Sequence, residues 1–144
     1  MATDPIDLER FVAAQAPVWH DVQSELQAGR KQTHWMWFVF PQLAMLGRSS
    51  MARHYGLSGL DEAKAYLAHP VLGPRLVGCC RLLLQLQGRD PVAIFGTTDA
   101  MKLRSCLTLV AEAAPAEAVF RDTLRQYFGG EPDPLTLDEL ARHA

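Results

Sequence analysis

Apolar positions along this chain recur at spacings of three and four and are broken by proline and glycine, the punctuation of helices. Asp4 followed by Pro5 reads as an N-cap and first-turn proline opening a helix to about Gln15. After Pro17, Val18, Val22 and Leu26 repeat every four positions until Gly29 stops the helix. Ser58 and Gly59 precede LDEAKAYLAH, where Leu60, Ala63, Tyr66 and Leu67 form one stripe. Pro70 opens a long segment in which Leu72, Leu76, Cys79/Cys80, Leu83 and Leu86 hold the helical period to Gly88, with a kink expected near Pro74. His69 reads as a boundary residue capping the preceding helix at its C-terminal end. Asp90-Pro91 repeats the cap-plus-proline signal for a short helix ending at Gly96. Thr97 or Thr98 caps the next, which runs to about Ala114 with Leu103, Cys106, Leu107, Val110 and Ala113/Ala114 as its core stripe. Pro115 begins another that ends at Gly129-Gly130, and Thr136 caps a last short turn.

Strand signals are poor by comparison. WMWFVF (Trp35 to Phe40) has high β propensity but no period-two alternation, and a lone strand has nothing to pair with. A buried helical turn or an extended crossing is the expectation there. No repeat or linker divides the chain. The pattern predicts an all-α fold, a single domain over residues 1–144 built of seven to nine mostly short helices, since a four-helix bundle would want fewer and longer ones.

Composition narrows the class. At 144 residues, 49% hydrophobic and 21% charged, the chain can bury a real core. No apolar run approaches the roughly 18 residues a membrane span needs. The opening MATDPIDLER has no apolar h-region, and three cysteines, two of them adjacent, make no disulfide framework. A cytoplasmic protein without membrane association is expected. Charge is uneven: residues 26–89 carry eight basic side chains and two acids, so they stand at +6, while the rest of a chain with net charge −2 stands at −8. A basic side can draw in an anionic ligand, or the two halves can pair across the fold. The slight overall acidity and the lack of a dense Lys/Arg run disfavour bulk nucleic-acid binding. A homodimer is left open.

Arg30 to Gly56 is the most unusual segment. It holds Trp35, Trp37, Phe38, Phe40 and Tyr55 beside four cations and the histidines His34 and His54, with no acid. Aromatics beside guanidinium groups can seat a nucleotide, the ring stacking while a cation meets phosphate. The same composition also describes a core segment with basic flanks. Trp35 and Trp37 are expected to point in different directions, so at least one is structural. Arg48 and the Ser49 cap of a short helix could hold a phosphate or carboxylate, or the serine could cap and nothing more. On the Thr97–Ala114 helix, Thr98, Asp99, Lys102 and Ser105 share a polar face. There Lys102 is a candidate nucleophile assisted by Asp99, with an exposed i,i+3 ion pair as the alternative. The histidines at 20, 34, 54, 69 and 143 show no metal-ligand spacing, and no cofactor motif is present.

HWMWFVFPQ (His34 to Gln42), LGRS (Leu46 to Ser49), EAKAYLAHPVLGPRL (Glu62 to Leu76) and IFGTTDAMKLRSCLTLV (Ile94 to Val110) occur in one order. Together, over about residues 6 to 140, they resemble the bacterial family catalogued as domain of unknown function 1810. The chain departs from that family's pattern at Cys106, Leu107 and Val110, where Ser, Met and Phe are more usual. The resemblance implies an all-helical fold and a cytoplasmic setting, and it brings no activity. The pattern D-x-M-K-L-x-S-x-L (Asp99 to Leu107) is more distantly similar to the NAD/ADP-ribose-associated (NADAR) family, which includes N-glycosidases acting on ribosylated bases. That family's glutamate-containing helix has no counterpart here.

Three functions follow as expectations. In the first, the chain hydrolyses the N-glycosidic bond of an ADP-ribose-like or phosphorylated-sugar ligand. Trp35, Trp37 or Tyr55 would stack the base, Arg48 with His34 or His54 would meet phosphate, and Lys102, Asp99 and Ser105 would line the reacting face. In the second, the same residues bind a nucleotide or another anionic small molecule without chemistry. In the third, the dipolar surface binds a protein partner.

Overall fold

The computed structural model describes residues 7–142, so the Asp4-Pro5 cap and His143 lie outside the described residues. Within them the chain is all-α. In chain order the helices are α1 (Glu9–Gln15), α2 (Trp19–Ala28), α3 (Met36–Val39), α4 (Ser50–His54), α5 (Leu60–Ala68), α6 (Leu72–Leu84), α7 (Pro91–Phe95), α8 (Thr97–Ala113), α9 (Ala118–Phe128) and α10 (Pro134–Arg142), with 3-10 turns at Ala16–Val18 and Ala44–Leu46. Beside α3, one four-residue turn in the aromatic segment where a buried helical turn was an expectation, nine helices stand among the described residues, within the seven to nine expected. The only β pairing among the described residues is an isolated parallel bridge between Leu43 and Leu57.

The longest helix, α8, is the axis of the fold. Its predicted stripe Leu103, Cys106, Leu107, Val110 and Ala113 is buried, and so are Ser105, Thr108 and Leu109. Helices α5, α7, α9 and α10 pack around it, while α6 bridges α5, α9 and α2. No single helix among the described residues is long and apolar enough to cross a membrane; α5 and α6, which pass only as a pair, meet at 88°.

Several sequence expectations are corrected by who supplies each cap. α6 starts at Leu72, so Pro74 falls in the first turn, where its missing N–H is one the helix leaves unpaired anyway, and the helix runs on through it. His69 is the C-cap of α5, as expected, its N–H donating to Ala65 O at 3.0 Å and Tyr66 O at 3.3 Å. Its side chain also serves the helix that follows: Nδ1 accepts from the backbone N–H of Val71 at 3.1 Å and Leu72 at 3.3 Å. Gly96, at φ 83°, precedes α8 where a threonine cap was expected. Asp133 caps α10 in place of Thr136, accepting from the Thr136 N–H at 3.0 Å and its hydroxyl at 2.6 Å. The Asp90 cap of α7 and the Ser49 cap of α4 form as read, at 2.8 Å to Val92 N and 3.1 Å to Ala52 N.

Polar groups inside this core are paired. The Gln15 amide donates to Phe38 O at 2.7 Å and to the Tyr66 hydroxyl at 3.1 Å, and its oxygen accepts from Arg75 at 3.2 Å. Burial pushes the Tyr66 hydroxyl pKa well above its ordinary value. This knot ties α1, α3, α5 and α6 together at one point.

Candidate active-site cleft

The loop from Gln42 to Ser58 closes on itself. Ala44 N donates to Leu57 O at 2.8 Å and Leu57 N to Gln42 O at 2.9 Å. Gly56 lies so close to Ala44 that a Cβ there would sit 2.3 Å from the Ala44 Cα, so only glycine allows the closure. The folded loop turns Leu46, Arg48, Ser49 and Ala52 toward α8. The opposing wall is one helical face, Thr98, Met101, Lys102 and Ser105, at spacings i, i+3, i+4 and i+7. Asp133 and Leu135, at the start of α10, close one end. The cleft between them has a volume of about 560 Å³.

Arg48, Lys102 and Ser105 therefore meet in one place, from segments about fifty residues apart in sequence. Arg48 is exposed where it lines the cleft. Ser105 is nearly buried, and its hydroxyl donates to Asp133 Oδ2 at 3.3 Å. The loop before α10 is held to α8 by further polar contacts: Arg104 donates to Glu131 O at 3.0 Å and Pro132 O at 3.1 Å, and Asp133 N donates to Thr108 Oγ1 at 2.8 Å.

Asp99 does not line the cleft. Its Oδ2 lies 2.9 Å from Lys31 Nζ, whose side chain is nearly buried, and its Oδ1 lies 3.7 Å from Lys102 Nζ. Asp99 is thus committed first to Lys31 and only loosely to Lys102. The aromatic segment is split as well. Trp35 is fully buried, packed against Phe40 and Phe95, with its indole N–H donating to Glu25 Oε1 at 3.0 Å. The expectation that it stacks a ligand is corrected: neither face is open. Trp37 is half-buried beside the cleft, with Lys102 Nζ 5.3 Å above its ring and the exposed His34 6.4 Å from it. His54 and Tyr55 lie elsewhere. Tyr55 packs on Phe11 and Phe38, and His54 stacks edge-on to Tyr55 at 4.6 Å, so neither lines the cleft.

Sequence reasoning missed Gln42, Leu46, Met101, Asp133 and Leu135. Met101 was readable, since it stands three after Thr98 and four before Ser105, on the face those two share. Asp133 carried no such signal. No three His, Cys, Asp or Glu side chains come together as a metal site among the described residues.

A family model for proteins of unknown function, DUF1810, matches residues 5–140. The chain belongs to the DUF1810 family. It is similar to a conserved hypothetical protein from Mycobacterium tuberculosis, known from a crystal structure, at 54% identity. That match has a TM-score of 0.94 and covers 96% of this chain and 99% of the other. No curated protein matches. These relatives bear out the expected DUF1810 membership and all-helical fold, and they lend no support to the more distant NADAR likeness.

Proposed function

We propose that this DUF1810 domain binds an anionic small molecule in the cleft between the Gln42–Ala52 loop and α8. The observation that carries the reading is the charge balance of the lining. Two cations, Arg48 and Lys102, face one carboxylate, Asp133. Asp133 Oδ2 is held by Ser105 and twice by Thr136, and the lining keeps a net charge of +1. Asp99, the group that would neutralise Lys102, sits closer to Lys31. A concave site with surplus positive charge concentrates anions, and guanidinium and ammonium groups suit phosphate or carboxylate. The volume of about 560 Å³ falls in the range of small-molecule sites.

Binding is favoured over glycoside hydrolysis by the state of the acids. Oxocarbenium chemistry leans on a carboxylate aimed at the sugar carbon, and both Asp99 and Asp133 are engaged with protein partners. Lys102 has the surroundings of a cation, a carboxylate at 3.7 Å and an indole face at 5.3 Å.

The test is thermal unfolding with inorganic phosphate, nucleoside monophosphates, ADP-ribose and ribose 5-phosphate. A ligand at 100 Kd adds about 2.7 kcal/mol of stability, roughly 5 to 10 °C for a chain of this size. Arg48→Ala and Lys102→Ala each reduce that shift. Absence of a shift with every anion rejects the reading, and release of base from a ribosylated nucleotide, lost in Lys102→Ala, replaces it with hydrolysis.

A further inference from the structure

The cleft is cationic at Arg48 and Lys102 and polar at Gln42, Ser49, Thr98, Ser105 and Asp133, and the remaining lining is aliphatic. Leu46 and Ala52 on the loop wall, Met101 on α8 and Leu135 at the head of α10 supply it, and no aromatic ring lines it. Met101 is 66% exposed and Leu135 60%, on facing elements. Two of the large hydrophobic side chains left to water thus stand in this one cleft. The unbranched Met101 thioether adapts to chains of varied shape. A nucleobase finds no comparable seat, because Trp35 is enclosed and the Trp37 face nearest the cleft carries the Lys102 ammonium.

Resting on the anion-binding reading above, we infer that the ligand is an aliphatic anion. Its phosphate or carboxylate head meets Arg48 and Lys102, and its single alkyl chain lies along Met101, Leu135 and Leu46. Charge complementarity fixes the head, and the ring-free lining selects the tail. The ligand is a monomeric molecule taken from solution, since the chain-bearing surface is a concave groove between two walls rather than a projecting face.

A homologous series of alkyl phosphates, ethyl to octyl, separates the two layers of the argument. Calorimetric Kd values are expected to tighten between about twofold and fourfold per methylene, the upper figure corresponding to complete burial of each CH2. Arg48→Ala is expected to weaken every member by a common factor, and Met101→Gln and Leu135→Asn to flatten the dependence on chain length. Phosphate binding with no dependence on chain length overturns the aliphatic tail and leaves the anion site standing. If neither inorganic phosphate nor any alkyl phosphate binds, the anion site itself fails. Co-sedimentation with phosphatidylglycerol vesicles, without saturable binding of octyl phosphate, overturns the soluble ligand in favour of a membrane. A dimer dissociated by Met101→Gln, again without alkyl phosphate binding, assigns the apolar surface to a second copy of this chain.

Discussion

Glu25→Gln isolates the contact that fixes the loop from Gln32 to Trp35. The Glu25 carboxylate accepts four hydrogen bonds: Gln32 N at 2.6 Å, Thr33 N at 2.9 Å and Trp35 Nε1 at 3.0 Å on Oε1, and Thr33 Oγ1 at 2.6 Å on Oε2. Glutamine keeps an oxygen for the three N–H donors, and the threonine hydroxyl can turn to accept from the new amide. What is lost is the charge. A hydrogen bond to a charged group contributes about 1.5–3 kcal/mol against 0.5–1.5 for a neutral one, so three donors lose roughly 3 kcal/mol together. Burial opposes this, because a neutral amide is cheaper to desolvate than a carboxylate. The net expectation is a loss of about 1 to 2 kcal/mol, or roughly 3 to 6 °C in Tm. Glu25→Ala costs more, about 3 to 4 kcal/mol, because it leaves the buried Trp35 indole N–H without a partner.

The pH dependence is diagnostic. Burial raises the Glu25 pKa, but the hydrogen bonds from Thr33, Gln32 and Trp35 outweigh it and hold the carboxyl below its ordinary value of 4.5. A carboxyl with a depressed folded-state pKa contributes stability that is complete above the unfolded value and is lost as pH falls through the folded one. Glutamine does not titrate. Urea unfolding followed by tryptophan fluorescence should therefore show the gap between wild type and Glu25→Gln closing as pH drops from about 5 toward 3. Equal stability at pH 7, or a gap that stays constant in acid, would refute the reasoning.

Other outcomes follow from particular contacts. Burial raises the pKa of all three cysteines, Cys80 to about 12; Ellman's reagent at pH 8 should find no reactive thiol until urea unfolds the chain. Asp133→Ala removes the α10 cap and the partner of Ser105, costing about 1 to 2 kcal/mol; hydrogen exchange should quicken across 134–142 and leave α8 protected. Gly73→Ala would place a Cβ 2.0 Å from the Leu67 carbonyl oxygen at the tight α5–α6 corner; a loss of about 3 kcal/mol or more is expected in chemical denaturation, since backbone rather than a flexible side chain must move.

Most of the fold was legible because its signals are local. Proline, glycine and the spacing of apolar positions place α2, α5, α7 and α8 close to where they form. The errors fall where a local signal has two readings and a distant group decides. Pro74 reads as a kink until the start of α6 is known, and His69, read as the end of α5, turns its side chain to the start of α6 as well. Thr136 reads as a cap, yet the buried Thr108 hydroxyl and Ser105 on α8 pull Asp133 into that place. The polar face of α8 was legible by period alone, which brought Lys102 and Ser105 to the cleft. Period gives the direction of a side chain and says nothing of its partner.

That distinction decides what the aromatic segment does. Trp35 and Trp37 each lie beneath a lysine ammonium, Lys31 at 5.2 Å and Lys102 at 5.3 Å. Asp99 stands between the two lysines and lies closer to Lys31. The reason is burial: an ammonium withdrawn from water needs a carboxylate more than one at the edge of a cleft, so the enclosed lysine takes the tighter pair. Lys102 is left with an indole face and a loose carboxylate, and its surplus charge faces the cavity. The two tryptophans thus seat two cations, of which only Lys102 lines the cleft. The enclosed Lys31–Asp99 pair, which does not line the cleft, governs how positive the cleft is.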